Sequence, residues 1–247
     1  MQSVIKKIPP IVMLHHVSDD PAQASLKPYS ISRNIFLQLL NYLDAHNYET
    51  IGFDDLIAGN SSKQKKIILS FDDCPRHLFD FAIPELQKRN MKASFYMPTA
   101  HIGGTNSWDA AEGRAEVELM NEADLKALSR LGMELGAHAH HHIPLKGIEE
   151  TALQFEVTES KKILESIVER HVHSFAYPYG SVPGKYKAIL SGAGYRFACS
   201  IYQPYENDLA LRRFIYHDGD TNKTLEQKLS FAYKCYRFFT DPLKSYS

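Results

Sequence analysis

The sequence predicts an α/β fold built on a parallel sheet, and three observations predict it. Apolar runs of strand length recur along the chain. Amphipathic stretches of helix length separate them, and the 247 residues carry no repeat, low-complexity tract or convincing linker. A chain of this length can bury a substantial core by itself, so a single domain over 1–247 is the economical organisation.

Taken in order, the first strand is expected over residues 11–17 and the first helix over 34–46. A strand over 66–71 carries Ile67, Ile68 and Leu69 and then runs into paired acids, Asp72 and Asp73. A helix over 78–89 and a strand over 93–98 follow. Asn121 is a good N-cap for a helix over 122–131, which leads into a strand over 133–138. The helix expected over 149–169 places Leu153, Val157, Ile163, Leu164 and Ile167 largely on one side, with Glu and Lys elsewhere. A strand over 174–177, a helix over 185–191 and strands over 196–201 and 213–216 continue the alternation. Thr224, with Gln227 three residues on, reads as a capping box for a last helix over 225–238. Strands separated by helices favour right-handed crossovers, in a sheet either wound open or closed as a barrel.

A formal net charge of -1 leaves no electrostatic footprint for nucleic acid or an anionic membrane surface. The longest basic cluster, 63–66, is interrupted by Gln64. Cys74, Cys199 and Cys235 are odd in number and widely spaced, which suggests neither a disulfide framework nor a paired-cysteine metal clamp. The opening segment, MQSVIKKIPPIVMLHHVSDD, has two lysines but only a short apolar stretch, and no run elsewhere reaches membrane-spanning length. A soluble, cytoplasmic protein without a membrane span is the expectation.

The paired acids need a second half to become a reactive centre. Residues 133–145, MELGAHAHHHIPL, supply four histidines in five residues. His138 and His142 stand four apart, on one side of a helical turn or at the two ends of a compact loop, and either way two imidazoles can converge on one ion. One carboxylate from the Asp72–Asp73 pair would complete a His₂Asp set with an open position, the donor set of a catalytic zinc. The other aspartate is then free to act as a base toward the bound water. Adjacent aspartates most often make a turn, and a histidine tract is often merely solvated. Here each cluster directly follows an apolar strand-like run, so in a parallel sheet both fall at the carboxyl edge, where sites form. Two long stretches outside the helices and strands, 103–116 with the only tryptophan, Trp108, and the aromatic-rich 175–184, belong to the same inventory.

These stretches resemble a known family. SFDDC (70–74) resembles the TFDDG motif, HAHHH (138–142) the H-S/T-x-x-H motif and AYPYG (176–180) the third motif of the polysaccharide deacetylase family, the NodB-homology group or carbohydrate esterase family 4. PPIVMLHHVSDD, KASFYMP, GGTNSWD and GAGYRFA read like the branch related to poly-N-acetylglucosamine deacetylases, so the similarity covers most of the chain. The resemblance implies a distorted (β/α) barrel of about seven parallel strands. It also implies metal-dependent hydrolysis of a carbon–nitrogen bond, removing an N-acetyl group from an N-acetylated sugar or polysaccharide precursor. Carried over by position, Asp72 would be the general base, and Asp73 with His138 and His142 would hold a divalent metal, with zinc the expected ion. The backbone N–H of Tyr179 would share the oxyanion with the metal. The proton for the leaving amine would come from His15, in IVMLHH, with His217, in RFIYHD, as its rival. Trp108, Asp109 and Tyr177 are the candidate sugar contacts, with packing of the 103–116 loop the alternative for Trp108.

The chain departs from the family pattern at several places. Ala139 replaces a hydroxyl residue that would brace the metal loop. Ala176 and Tyr177 stand where an arginine is usual, so the charge that orients the base must come from elsewhere; Arg213 is the candidate, with Arg76 behind it. Cys74 replaces a glycine, which costs about 1 kcal/mol or more of strain if the position needs a positive φ. Its thiol is expected to be buried, and His140 and His141 are expected beside the site or in solvent. The alternatives to a deacetylase are a deformylase or other linear-amide hydrolase on the same metal site, and a glycan-binding module that has lost turnover.

Overall fold

The computed structural model describes residues 8–241 apart from 28, 60, 61, 204 and 205; residues 1–7, the first part of the segment read above as lacking a leader, lie outside the described residues. The chain begins with β1 (Ile11–Leu14), β2 (His16–Val17), β3 (Ser30–Ile31), α1 (Arg33–Ala45), β4 (Tyr48–Thr50), α2 (Phe53–Ala58) and the long β5 (Lys65–Asp72). It continues through α3 (Ala82–Lys88), β6 (Ser94–Met97), α4 (Ser107–Ala111), α5 (Glu122–Arg130) and β7 (Glu134–Ala137). Then come α6 (Glu150–Val168), β8 (Ser174–Ala176), α7 (Tyr186–Gly192), β9 (Phe197–Cys199), β10 (Phe214–Ile215), α8 (Asn222–Leu229) and α9 (Phe231–Thr240).

Seven strands line up in the order β10, β1, β5, β6, β7, β8, β9, with every neighbouring pair parallel, and β4 joins the N-terminal end of β5. The sheet curls into a half-barrel with helices around it, in agreement with the expected distorted (β/α) barrel and single domain. An isolated parallel bridge between Cys199 and Leu211 brings the two edges of the curl together at one point.

Strand side chains alternate between two cores, as a period of two requires. Val12, Leu14, Ile67, Leu69, Phe71, Phe95, Leu135 and Phe175 belong to the buried cluster that includes the helix residues Phe36, Leu39, Leu86, Leu128 and Leu164. Ile11, Ile68, Tyr96, Ala176, Phe197 and Cys199 fill the inside of the curl. On β5 the inward row runs Ile68, Ser70, Asp72, so the same alternation that buries Ile68 delivers Asp72 to the carboxyl end of the interior. Gly136 on β7 makes room there. A Cβ at that position would lie 2.3 Å from Cε1 of the buried Tyr96.

The structure corrects several expected boundaries. The strand expected over 11–17 is interrupted at His15: β1 stops at Leu14, and β2 pairs with β3 in a separate two-stranded sheet. The helix expected over 78–89 is a 3-10 turn, Arg76–Asp80, followed by α3. The last helix is two. Thr221, not Thr224, is the N-cap of α8, with Thr224 at the N3 position of the capping box. Ser230, extended at φ -75° and ψ 155°, ends α8 and caps α9 by accepting from the Tyr233 N–H. Asn121 caps α5 as expected, in a reciprocal box with Asp124. No helix among the described residues is long and apolar enough to cross a membrane.

Candidate active site

Three loops leave the carboxyl ends of β5, β7 and β8 and meet over the half-barrel. Five of their non-glycine residues hold positive φ angles: Asp73 at 66°, Cys74 at 54°, Ala139 at 59°, His142 at 54° and Tyr179 at 56°. Left-handed backbone costs such residues roughly 1 kcal/mol each and persists only where surrounding contacts over-determine it. Its concentration here marks the loops as built for a geometry that relaxed turns do not supply. Cys74 therefore does bear the strain considered for it. Its thiol is fully buried, and burial holds its pKa well above the ordinary value, so it is inert.

Asp73, His138 and His142 present one ligand atom each within 4.8 Å of one another, and all three side chains are buried. His138 Nε2 lies 3.4 Å and His142 Nε2 3.2 Å from Asp73 Oδ1. Among the described residues Asp73 Oδ1 is a buried acceptor with no aligned hydrogen-bond donor, and His142 Nδ1 likewise has no partner there. His138 Nδ1 lies 2.8 Å from the Ala176 carbonyl. A carbonyl only accepts, so Nδ1 carries the hydrogen and the Nε2 lone pair is turned toward the carboxylate. Two imidazole nitrogens facing an orphaned carboxylate oxygen form an electron-rich pocket that a divalent cation satisfies, and the N₂O donor set suits zinc. Burial lowers His138, but Asp72 and Asp73 outweigh it and raise its pKa in the metal-free site, whereas the other two ligands already favour their binding forms. Burial pushes the Asp73 carboxyl up, but His142 and His138 outweigh it and hold it well below the ordinary range. Burial lowers His142, despite Asp73, and favours the neutral ring that a ligand must be.

Asp72 stands beside this triad in a different environment. Arg213, 1 % exposed, grips it with both terminal nitrogens, Nη1 to Oδ1 at 2.6 Å and Nη2 to Oδ2 at 2.7 Å. The guanidinium is itself held by Ser70 Oγ at 3.2 Å and by the Ser200 carbonyl, which accepts from Nε at 3.2 Å. Burial raises the Asp72 carboxyl, but the charge of Arg213 outweighs it and leaves the pKa below its ordinary value. Arg213 thus supplies the charge that Ala176 and Tyr177 cannot. Arg76 does not reach the site: it is half exposed and pairs with Asp124 and Glu118.

His15, at the break after β1, brings Nε2 to 4.0 Å from Asp72 Oδ2. His217 is exposed and lies outside the cavity, its backbone N–H donating to Asp220. Of the two histidines, only His15 lines the cavity. The cavity, about 300 Å³, is lined by Asp72, Asp73, His138, His142, His15, Trp108, Asp109, Arg213, Tyr177 and Tyr179, so ten of the expected residues come together. Some of them are committed elsewhere. Trp108 stacks on His142 with ring centroids 4.0 Å apart, which makes it a wall behind a ligand as well as a cavity surface. Asp109 accepts from Arg114 at 2.9 Å and from Asn106 at 3.0 Å, so its carboxylate braces the loop as well as lining the cavity. The Tyr177 hydroxyl donates to the Leu209 carbonyl, leaving only its ring to the cavity. Tyr179 is over one-third exposed, and burial and Asp73 push its phenol up to about 12, so it stays a neutral donor.

Tyr29 and Arg114 also line the cavity and were not anticipated. Arg114 sits over the Tyr29 ring at 5.4 Å, tying the segment before β3 to the Trp108 loop. Tyr29 belongs to no periodic pattern, so nothing in the sequence flagged it.

Comparison with known proteins adds an independent line. A family model described as polysaccharide deacetylase matches residues 59–198, more than half of the chain. A poly-beta-1,6-N-acetyl-D-glucosamine N-deacetylase of Staphylococcus aureus (strain MSSA476) is 21% identical over 210 residues, covering 78% of this chain and 70% of that protein. Among solved structures, Streptococcus pyogenes deacetylase PplD in complex with acetate superposes with a TM-score of 0.77 at 19% identity, covering 90% of this chain and 98% of that one. IcaB from Ammonifex degensii superposes at 0.70 with 18% identity, covering 89% and 96%. At these identities the two structures speak for the fold.

Proposed function

The chain belongs to the polysaccharide deacetylase family, and from that premise we propose that it is a metal-dependent hydrolase that removes the N-acetyl group from an N-acetylated glycan. The observation that carries the proposal is the convergence of Asp73, His138 and His142 beside an arginine-clamped Asp72 in one cavity. The name of the staphylococcal relative points to N-acetylglucosamine polymers as the substrate class.

A divalent cation held by Asp73, His138 and His142, zinc by its donor set, would polarise the attacking water and the acetyl carbonyl. Asp72, ionised and oriented by Arg213, takes the proton of that water as the new oxygen–carbon bond forms. The carbonyl electron pair moves onto its oxygen, to which the Tyr179 N–H donates. When the pair returns, the carbon–nitrogen bond breaks, and His15 gives its proton to the nitrogen, which is otherwise too basic to leave. The products are acetate and a free amine on the sugar.

The test is zinc content and acetate release measured together on wild type, Asp73→Asn, His15→Ala and His217→Ala. Wild type should bind about one zinc per chain and free acetate from N-acetylglucosamine oligomers, and Asp73→Asn should do neither. His15→Ala should keep its zinc and lose roughly 10²- to 10⁴-fold in turnover, while His217→Ala keeps both. Zinc binding with no acetate released would overturn the proposal in favour of a glycan-binding module. Preferential release of formate from N-formyl analogues would replace it with a deformylase.

A further inference from the structure

We propose that Glu156 of α6 is a positioning residue for the metal loop, performing the bracing task that Ala139, lacking a hydroxyl, cannot. This rests on the metal-site reading above and deepens it. The loop from His138 to His142 connects the two histidine ligands through two left-handed residues, Ala139 and His142. A strained loop of this kind needs outside bonds to hold both imidazoles on one ion. Glu156 supplies them from beneath. Its Oε2 accepts the backbone N–H of His140 at 2.9 Å and of His141 at 2.8 Å, and its Oε1 meets His141 Nδ1 at 2.6 Å. On the other side, Thr99 holds the loop through the Ala139 carbonyl, which accepts its N–H, and through a 2.9 Å contact from its Oγ1 to His140 Nδ1.

The burial of Glu156 is what makes this more than an incidental contact. It is 3 % exposed and lies on the helix stripe that buries Leu153, Val157, Ser160, Leu164 and Ile167. A carboxylate in that stripe is costly unless several donors meet it, whereas an apolar residue there would pack without cost. Its three bonds all go to the segment between the two ligands, so the local cost is offset only by fixing that segment. Residues that orient metal ligands in this way typically change metal affinity by 10- to 100-fold when removed.

The experiment is zinc binding, measured by competition with a chromophoric chelator, on wild type, Glu156→Gln, Glu156→Asp and Glu156→Ala, alongside the melting temperature of each zinc-free protein. Glutamine keeps an oxygen that can accept both N–H groups and should bind zinc within a few-fold of wild type. Aspartate, one methylene short, should weaken binding, and alanine should raise the zinc Kd by about 10- to 100-fold. At saturating zinc the alanine variant should regain most of its kcat, since Glu156 lies outside the cavity lining. The proposal is overturned if the alanine variant melts lower but binds zinc as wild type does, which is a purely structural role. It is also overturned if glutamine is as damaging as alanine, which would place the effect in the charge. Should alanine fail to fold, the glutamine–aspartate contrast decides alone. Failure of wild type to bind zinc at all would instead sink the metal-site reading.

Discussion

Arg213 and Asp72 show at the scale of single residues how the site keeps a charged carboxylate in a dry place. Both are buried, and each makes the other tolerable. Removing the cation alone should therefore cost more than the pair contributes. Arg213→Met is expected to lose roughly 3–5 kcal/mol of stability, because it strands an uncompensated carboxylate. Arg213→Lys should fold better but turn over poorly, since an ammonium cannot reproduce the two-pronged grip. Denaturant unfolding and acetate release on both variants check this; an Arg213→Met protein as stable as wild type would mean that Asp72 is protonated in the fold. Much of this site was legible in the sequence because its residue types are chemically loud. Paired acids and a histidine tract, each following an apolar run, announce a donor set. Arg213 was reachable by asking where a missing charge could come from. Glu156 was not, because a glutamate within a helix reads as solvent-facing until burial is known. The commitments of Asp109 and Tyr177 to Arg114 and the Leu209 carbonyl depend on loop paths that no periodicity encodes.

At the scale of elements, the alternation of strands and helices was readable, and α6 lies within one residue of its expected ends. What failed were boundaries where a polar residue outvotes the pattern, as where Ser230 divides one apolar-rich stretch into α8 and α9. The junction of β7 with α2 carries a testable consequence of such polar detail. Glu134, at the start of β7, is buried and accepts from the Asp54 N–H at 3.0 Å and from Ser174 Oγ at 2.7 Å. Burial, with Asp54 nearby, raises its pKa to about 7. A carboxyl whose folded pKa exceeds its unfolded value contributes stability that is fully present below the unfolded pKa, near 4.3, and is lost as pH rises through about 7. Wild type should thus lose about 2–3 kcal/mol more than Glu134→Gln on going from pH 4.5 to pH 7.5. Urea unfolding at the two pH values measures the difference, and parallel losses in both proteins would show that Glu134 is ionised throughout.

For the whole molecule, the half-barrel collects at one edge charges that would repel or go unsatisfied anywhere else. The interior row of β5 delivers Asp72, the loop after it bends Asp73 back under strain, and β7 and β8 set His138 and Tyr179 opposite. An arrangement with an orphaned buried carboxylate oxygen and two inward lone pairs is poorly satisfied by protein groups alone, so its stability should depend on a cation. Because the unfolded chain does not assemble the three ligands, zinc should stabilise the fold by mass action, by about 2.7 kcal/mol at a free concentration one hundred times its Kd. The melting temperature should climb with zinc, fall on addition of a chelator, and stop responding in Asp73→Asn or His138→Ala. Arg213→Lys, which leaves the three ligands in place, should still respond. A wild-type melting curve indifferent to zinc and chelator alike would mean that the three side chains fold as a self-sufficient hydrogen-bonded cluster, and the strained loops around them would then need another explanation.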